Sequence, residues 1–283
     1  MSKDREFEFK DADFERIRKR VKDLTGISLS EAKKDLVYSR LSRRIRDLDM
    51  DSFASYCDLI CNNDSDELGD FVNAITTNLT SFFRESHHFD YLAKTVIPYL
   101  LDQRSAERKI RIWSAGCSTG EEPYTLAMVL AENLPKNHRW DVKILATDLD
   151  TNVIATAQRG LYNLERMNGV SNSRLKRWFL KGSGEHVGSV MVRPELKDFI
   201  TFKQLNLMGD WPMKGQFDVI FCRNVVIYFD KPTQAILFDR YAELMKDDAH
   251  LFVGHSESLF KVTKRYELIG HTTYRKLEAA HHG

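Results

Sequence analysis

The feature that most constrains this chain is a change of rhythm at Lys109. From there short apolar runs alternate with helical stretches. "KIRIWSA", "DVKILATD", "FITFKQLN", "FDVIFCRN" and "AHLFVGH" read as strands, and Pro123 to Asn133, Thr151 to Arg159 and Thr233 to Lys246 as helices. Buried runs alternating with helices imply a mainly parallel α/β sheet covered on both faces, because a parallel strand can be reached only through a long crossover. The closing "RYELIGHTTYRKLE" reads as a hairpin. Residues 161–199 are too long for an ordinary α/β connection, and "FLKGSGEHVGSVMVRPEL" within them sets glycines between β-prone stretches, which predicts a small antiparallel insertion.

Before Lys109 the pattern is helical and almost without strand signal. Phe14, Ile17, Val21 and Leu24, then Leu36, Leu41 and Ile45, then Phe53, Tyr56, Leu59 and Ile60, then Leu68, Phe71, Val72 and Ile75 recur at helix spacing. The expected organisation is a helical N-terminal domain over 1–80, a linker and connecting helix over 81–108, and an α/β domain over 109–283 that carries the insertion. With 42 basic against 41 acidic residues the net charge is +1, so nothing global points to nucleic acid or a membrane surface.

No run approaches the ~20 apolar residues of a membrane span, and the opening "MSKDREFEFK" does not read as a signal peptide. A cytoplasmic protein without membrane insertion is the expectation. Cys57, Cys61, Cys117 and Cys222 are scattered, with no histidine pair at ligand spacing, and read as reduced thiols with no metal site. The two histidines of the terminal "AAHHG" read as a frayed end.

The first strand runs into "SAGCSTGEEP". In an open parallel sheet ligands bind beyond the carboxyl ends of the strands, and Gly116 and Gly120 let the backbone approach one there. The turn is neither GxGxxG nor a phosphate loop. Glu121 and Glu122 stand where a phosphate would need a bare helix N-terminus, so the place suits a cation, unless the two are simply good first-turn residues. Asp148 ends the second strand, where a carboxylate can accept both ribose hydroxyls of an adenosine cofactor; it or Asp150 could instead cap the next helix. The fold signal alone is compatible with NAD or S-adenosylmethionine, and the paired glutamates favour the cationic donor.

Further polar clusters fall at other strand ends. "KQLNLMGDWP" places Asn206 beyond the third strand, suited to an adenine edge, and "FCRNVVIYFD" places Arg223, Asn224 and Tyr228 beyond the fourth. In the linker "TTNLTSFFRE", Asn78, Thr80 and Arg84 are polar positions among Leu79, Phe82 and Phe83, and could cover a cofactor.

Taken together, "TTNLTSFFRE", "WSAGCSTGEEPYTLAM", "ATDLD", "FCRNVVIYFD" and "GHSES" resemble, in order and over nearly the whole chain, the chemotaxis receptor methyltransferases of the CheR family. The resemblance implies a Rossmann-like, class I S-adenosylmethionine-dependent methyltransferase domain with a small antiparallel β-subdomain insertion, preceded by an all-α N-terminal domain. It implies methyl transfer to glutamate side chains of chemoreceptors, giving methyl esters and S-adenosylhomocysteine. By the same resemblance Asn78, Thr80, Arg84, Glu122, Asp148, Asn206, Leu207, Asn224 and Val225 match cofactor contacts. The acidic residue that general methyltransferase motifs carry just before the glycines is absent, and Ser114 stands there.

A glutamate carboxylate is ionised at neutral pH, so the reaction needs placement and water exclusion rather than a general base. Arg84 and Tyr228 are the expected catalytic pair, orienting that carboxylate as donors. For docking, Arg40, Arg43 and Arg44 fall at i, i+3, i+4 on one expected helix face, which suits an acidic partner or a merely solvated surface. Gly182, Gly184 and Gly188 resemble the spacing of family members whose β-subdomain captures a receptor's C-terminal tail. The expected partners are the cytoplasmic domains of chemoreceptors, met by a monomer. Two rival readings are a class I methyltransferase for another substrate and a cofactor-binding receptor adaptor without turnover.

Overall fold

In the computed structural model, which describes residues 5–136 and 139–278, the helical periodicity of the first part becomes four helices: α1 (Asp11–Thr25), α2 (Lys34–Asp47), α3 (Phe53–Cys61) and α4 (Glu67–Ile75). The histidines of the terminal "AAHHG" lie outside the described residues. Phe14, Ile17, Val21, Leu41, Ile45, Phe53, Tyr56 and Phe71 meet in one buried cluster. Each such side chain contributes roughly 1.5–3 kcal/mol by leaving water. Gly26 stops α1 in a left-handed conformation, its N–H donating to Lys22 O.

The linker leads into α5 (His87–Tyr91) and α6 (Ile97–Gln103), joined by a π-helical stretch over Leu92–Val96. The alternation after Lys109 then unfolds as β1 (Lys109–Ala115), α7 (Glu121–Asn133), β2 (Asp141–Asp148) and α8 (Thr151–Arg159). Next come β3 (Leu161–Asn163), α9 (Asn172–Trp178), β4 (Phe179–Lys181), β5 (Ser189–Val192) and α10 (Pro194–Lys197), the elements of the long connection. The chain ends with β6 (Ile200–Gln204), β7 (Phe217–Cys222), α11 (Lys231–Leu244), β8 (Met245–Val253), β9 (Tyr266–Gly270) and β10 (Thr273–Lys276).

Seven strands form one sheet in the order β6-β2-β1-β7-β8-β10-β9, the first five parallel and the last two a closing antiparallel hairpin. All six residues of β7 are buried, as expected of a central strand covered on both faces. The second, three-stranded sheet has the order β3-β5-β4 and is antiparallel. The last helix starts two residues earlier than its apolar pattern suggests, because Asp230 accepts the N–H of Thr233 as its cap and Pro232 sits in the first turn. It also ends sooner: β8 begins at Met245, and Lys246 within it pairs with the buried Asp218 of β7 at 3.0 Å.

Strand order reverses at β1, with β2 and β6 to one side and β7 and β8 to the other. A crevice therefore opens at the carboxyl ends of β1 and its neighbours. The helical part closes its outer side: Ile27 bridges Phe229, Ser28 N–H donates to Tyr228 O at 2.8 Å, and Lys22 pairs with Asp230 at 2.7 Å.

Candidate functional site

A cleft of about 430 Å³ occupies that crevice, within the size range of small-molecule sites. Asn78, Thr80 and Arg84 line it from the linker, and Glu122 and Asp148 from the ends of the first two βα units. Asn206 and Leu207 line it after β6, and Asn224, Val225 and Tyr228 after β7. The cleft wall also takes Thr25 from the end of α1 and Ile27 and Leu29 from the segment after it, which sequence reasoning did not place there.

The turn after β1 holds its shape through glycine. Gly116 has φ 91°, and a Cβ on it would lie 2.4 Å from Val225 Cγ2, so the turn and the loop after β7 close on each other only without a side chain. Gly120, at φ 98°, immediately precedes α7. The two glutamates that follow separate in role. Glu121 turns away from the cleft to Arg166 at 2.8 Å and accepts from Thr119 Oγ1 at 2.6 Å. Glu122 faces the cleft, accepts from Ser114 Oγ at 2.7 Å, and pairs with Arg223 at 3.1 Å. The carboxylate missing from position 114 is thus supplied from the helix and anchored by the serine that stands there. Burial pushes the Glu122 carboxyl upward, while the Arg223 guanidinium and the Ser114 hydroxyl draw it back.

The two aspartates after β2 also part. Asp150 caps α8, accepting Asn152 N–H at 2.8 Å, and receives Thr76 Oγ1 at 2.8 Å and Asn78 Nδ2 at 2.7 Å from the linker. Asp148 stays on the cleft wall, its oxygens fixed by Ser118 N–H at 2.8 Å and Asp150 N–H at 3.1 Å. Burial raises its pKa, opposed by those backbone donors. On the cleft wall the Asn206 amide is also bonded within the chain: Nδ2 donates to Leu24 O at 2.7 Å and Oδ1 accepts Met208 N–H at 2.9 Å, so it ties the helical part to the sheet.

From Arg223 on the cleft wall a polar network runs inward, whose further members Glu85, His255 and Glu257 were not singled out in the sequence. Arg223 is buried, bonds the Arg84 carbonyl oxygen, approaches Glu85 at 3.4 Å, and lies over the Phe89 ring at 5.3 Å. Glu85 accepts from His255 Nδ1 at 2.9 Å; against the upward push of burial, His255 and Arg223 hold its carboxyl at about 2. Glu85, His87 and His88 place ligand-type atoms within 4.8 Å of one another, yet the Arg223 guanidinium already supplies the positive charge beside Glu85. Glu257 of "GHSES" is buried and gathers backbone N–H groups from Gly254, Asn224 and Ile227. An acidic residue four positions past an apolar strand was the available signal for it.

The three arginines of α2 do not share a free face, which corrects the docking expectation. Arg40 donates to Ile75 O at 2.6 Å and Thr76 O at 2.7 Å, capping the C-terminus of α4. Arg44 makes a bidentate pair with the buried Glu67 at 2.9 and 2.6 Å and reaches Asp70 at 3.0 Å. Arg43 alone of the three stands out, its side chain 80% exposed. The helical spacing is as read, but α4 packs against that face of α2 and uses two of its three cations. Gly182, Gly184 and Gly188 fall in the turn between β4 and β5; a Cβ on Gly182 would lie 2.0 Å from His186 O, and the other two have positive φ.

The residues fit a cationic adenosine-type cofactor. Two carboxylates face one cleft, the half-buried Glu122 beside a glycine turn that admits no Cβ and the buried Asp148 at the second strand's end, where ribose hydroxyls are held in folds of this order. The sheet order and this donor set define a class I, Rossmann-like methyltransferase domain that uses S-adenosylmethionine. Residues 78–275 match the family model for the CheR methyltransferase SAM binding domain, and residues 12–76 that for the CheR methyltransferase all-alpha domain. The chain belongs to the CheR methyltransferase family. It is 46% identical over 270 residues to chemotaxis protein methyltransferase 2 of Pseudomonas aeruginosa, covering 95% of this chain and 94% of that one. It is 44% identical over 267 residues to the chemotaxis protein methyltransferase of Escherichia coli, covering 93% and 90%. No helix among the described residues is long and apolar enough to cross a membrane.

Proposed function

We propose that this protein methylates glutamate side chains in the cytoplasmic domains of chemoreceptors, forming methyl esters and S-adenosylhomocysteine. The observation that carries the reading is the charge layout of the cleft. Its carboxylates are the half-buried Glu122, held by Ser114 and Arg223, and the buried Asp148 at the end of β2, whereas Arg84 and Tyr228 line the same wall from the linker and from the loop after β7. A cationic donor and an anionic acceptor are thereby addressed to different parts of one cavity.

When bound, the cofactor supplies a methyl group on a cationic sulfur that leaves as a neutral thioether. Glu122 and Asp148 would hold it, with Asn78 and Thr80 across the linker. The acceptor carboxylate is ionised at pH 7, with a reference pKa of about 4.3, so no residue of the chain need act as base. Arg84, whose Nη1 donates to Leu79 O at 2.8 Å, retains further N–H groups with which to orient that carboxylate, and Tyr228 offers a hydroxyl. Orienting donors raise the rate only where they hold the carboxylate in line, since deeper ground-state pairing would lower kcat.

The antiparallel subdomain offers β3 and β4 as outer strands around β5, an arrangement suited to adding a receptor's C-terminal tail as a further strand to a monomeric enzyme. The deciding experiment incubates the protein with methyl-labelled S-adenosylmethionine and chemoreceptor membranes, then applies mild base. Release of labelled methanol is expected; label that resists base points to another acceptor, and no label at all defeats the reading. Asp148→Asn should weaken S-adenosylhomocysteine binding at least about tenfold by calorimetry.

A further inference from the structure

Three of the exposed large apolar side chains line the same cleft: Leu79 is 82% exposed, Ile227 50% and Leu36 38%. Scattered exposed aliphatics are ordinary, but three around one opening mark a surface built to be covered. They are held by ordered backbone. Leu79 follows Asn78, whose amide reaches Asp150, and its own carbonyl oxygen accepts from Arg84 at 2.8 Å. Ile227 stands on the short turn Val226–Tyr228, with its N–H donating to Glu257 at 3.3 Å, and Leu36 on the first turn of α2.

Charge says what kind of surface covers them. Lys33 and Arg84 line the same opening, and neither makes an ion pair among the described residues. The acidic members of the wall are committed within the chain, Glu122 to Arg223 and Asp148 to backbone N–H groups. The opening is therefore apolar and cationic at once, the complement of an acidic segment with aliphatic neighbours.

We propose that Leu36, Leu79 and Ile227 form an apolar collar that seats aliphatic side chains flanking the target glutamate, while Lys33 and Arg84 meet the segment's carboxylates. This rests on the methyl-transfer reading above. The collar makes sequence context a determinant of the acceptor: free glutamate, or a glutamate among polar neighbours, lacks the groups that fill it. A seated collar also keeps water from the acceptor, as the rim of an interface shields its centre.

The test uses the full-length protein and two forms of a chemoreceptor cytoplasmic fragment, one native and one with the aliphatic neighbours of its target glutamates changed to serine. Wild-type protein should favour the native fragment about tenfold or more in kcat/KM. Leu79→Ser with Ile227→Ser should reduce that preference to within about twofold, through KM rather than kcat, with S-adenosylhomocysteine affinity and thermal unfolding unchanged. Undiminished preference in the double variant overturns the collar. So does a loss of product affinity at constant fragment KM, which would assign Leu79 and Ile227 to covering the cofactor, or a wild-type dimer that the double variant dissolves, which would assign the patch to a second copy. Failure of the wild-type protein to place any base-labile methyl on the native fragment is a separate result, overturning the methyl-transfer reading and the collar with it.

Discussion

The carboxylate of Glu257 accepts the backbone N–H of Asn224 at 2.8 Å, holding Asn224 in a left-handed conformation at φ 58°. The same oxygen takes the N–H of Gly254, and the other that of Ile227 at 3.3 Å. One buried side chain after β8 thus fixes the loop after β7 on which Asn224, Val225 and Tyr228 stand. In Glu257→Gln an amide group would turn a donor toward those N–H groups. The expected outcome is at least tenfold weaker S-adenosylhomocysteine binding by calorimetry and a loss of about 1–3 kcal/mol in urea unfolding.

Gly116→Ala should damage the same region from the other side. The added Cβ would meet Val225 Cγ2 at 2.4 Å in a backbone conformation that disfavours side chains. Strain and overpacking together predict a loss of about 2–4 kcal/mol, read from the urea midpoint, with weaker product binding.

Acid should unfold the protein through its buried histidines. Burial, with the Arg223 guanidinium beside it, holds His88 at about 4, and burial outweighs Asp248 to hold His250 at about 4. Between that value and the ordinary 6.5 the unfolded chain binds protons that the folded one does not, so stability is complete above about pH 6.5 and falls as pH drops toward 4. Unfolding free energy at pH 5 is expected to lie about 2–4 kcal/mol below that at pH 7.5 in urea titrations. His250→Gln should remove about half of the difference.

Charge reversal along α2 should split cleanly. Arg44→Glu breaks the pair with Glu67, whose carboxylate also accepts from Tyr56 at 2.8 Å, and is expected to cost about 3–5 kcal/mol in thermal or urea unfolding. Arg43→Glu leaves stability within about 0.5 kcal/mol and should raise the Michaelis constant for receptor in a salt-sensitive manner. An unchanged constant at low salt removes Arg43 from the docking surface.

The strand runs after Lys109 were legible because burial on both faces writes continuous apolar stretches, and the helices because their stripes repeat. Asp148 and Glu122 were legible as chemistry at strand and helix ends. Spacing alone did not choose between neighbours of like kind: Glu121 against Glu122 and Asp150 against Asp148, which only the family resemblance separated, and Arg43 against Arg40 and Arg44, which nothing in the sequence did. Spacing gives each pair the same signal, and only packing from a distant element decides which member is spent on structure. The bond from Asn206 to Leu24 was out of sight for the same reason, the two lying 182 positions apart. The π-helical turn at Leu92–Val96 has no local sequence signal that we recognise.

The wall contributed by Thr25, Ile27 and Leu29 has an evolutionary corollary. Two relatives could not exchange their first seventy or so residues without also exchanging a side of the nucleoside cavity. Chimeras made to transplant receptor preference should therefore inherit altered donor affinity as a passenger, and lineages that swap the helical segment would have to retune Asn206 and Phe229 in step.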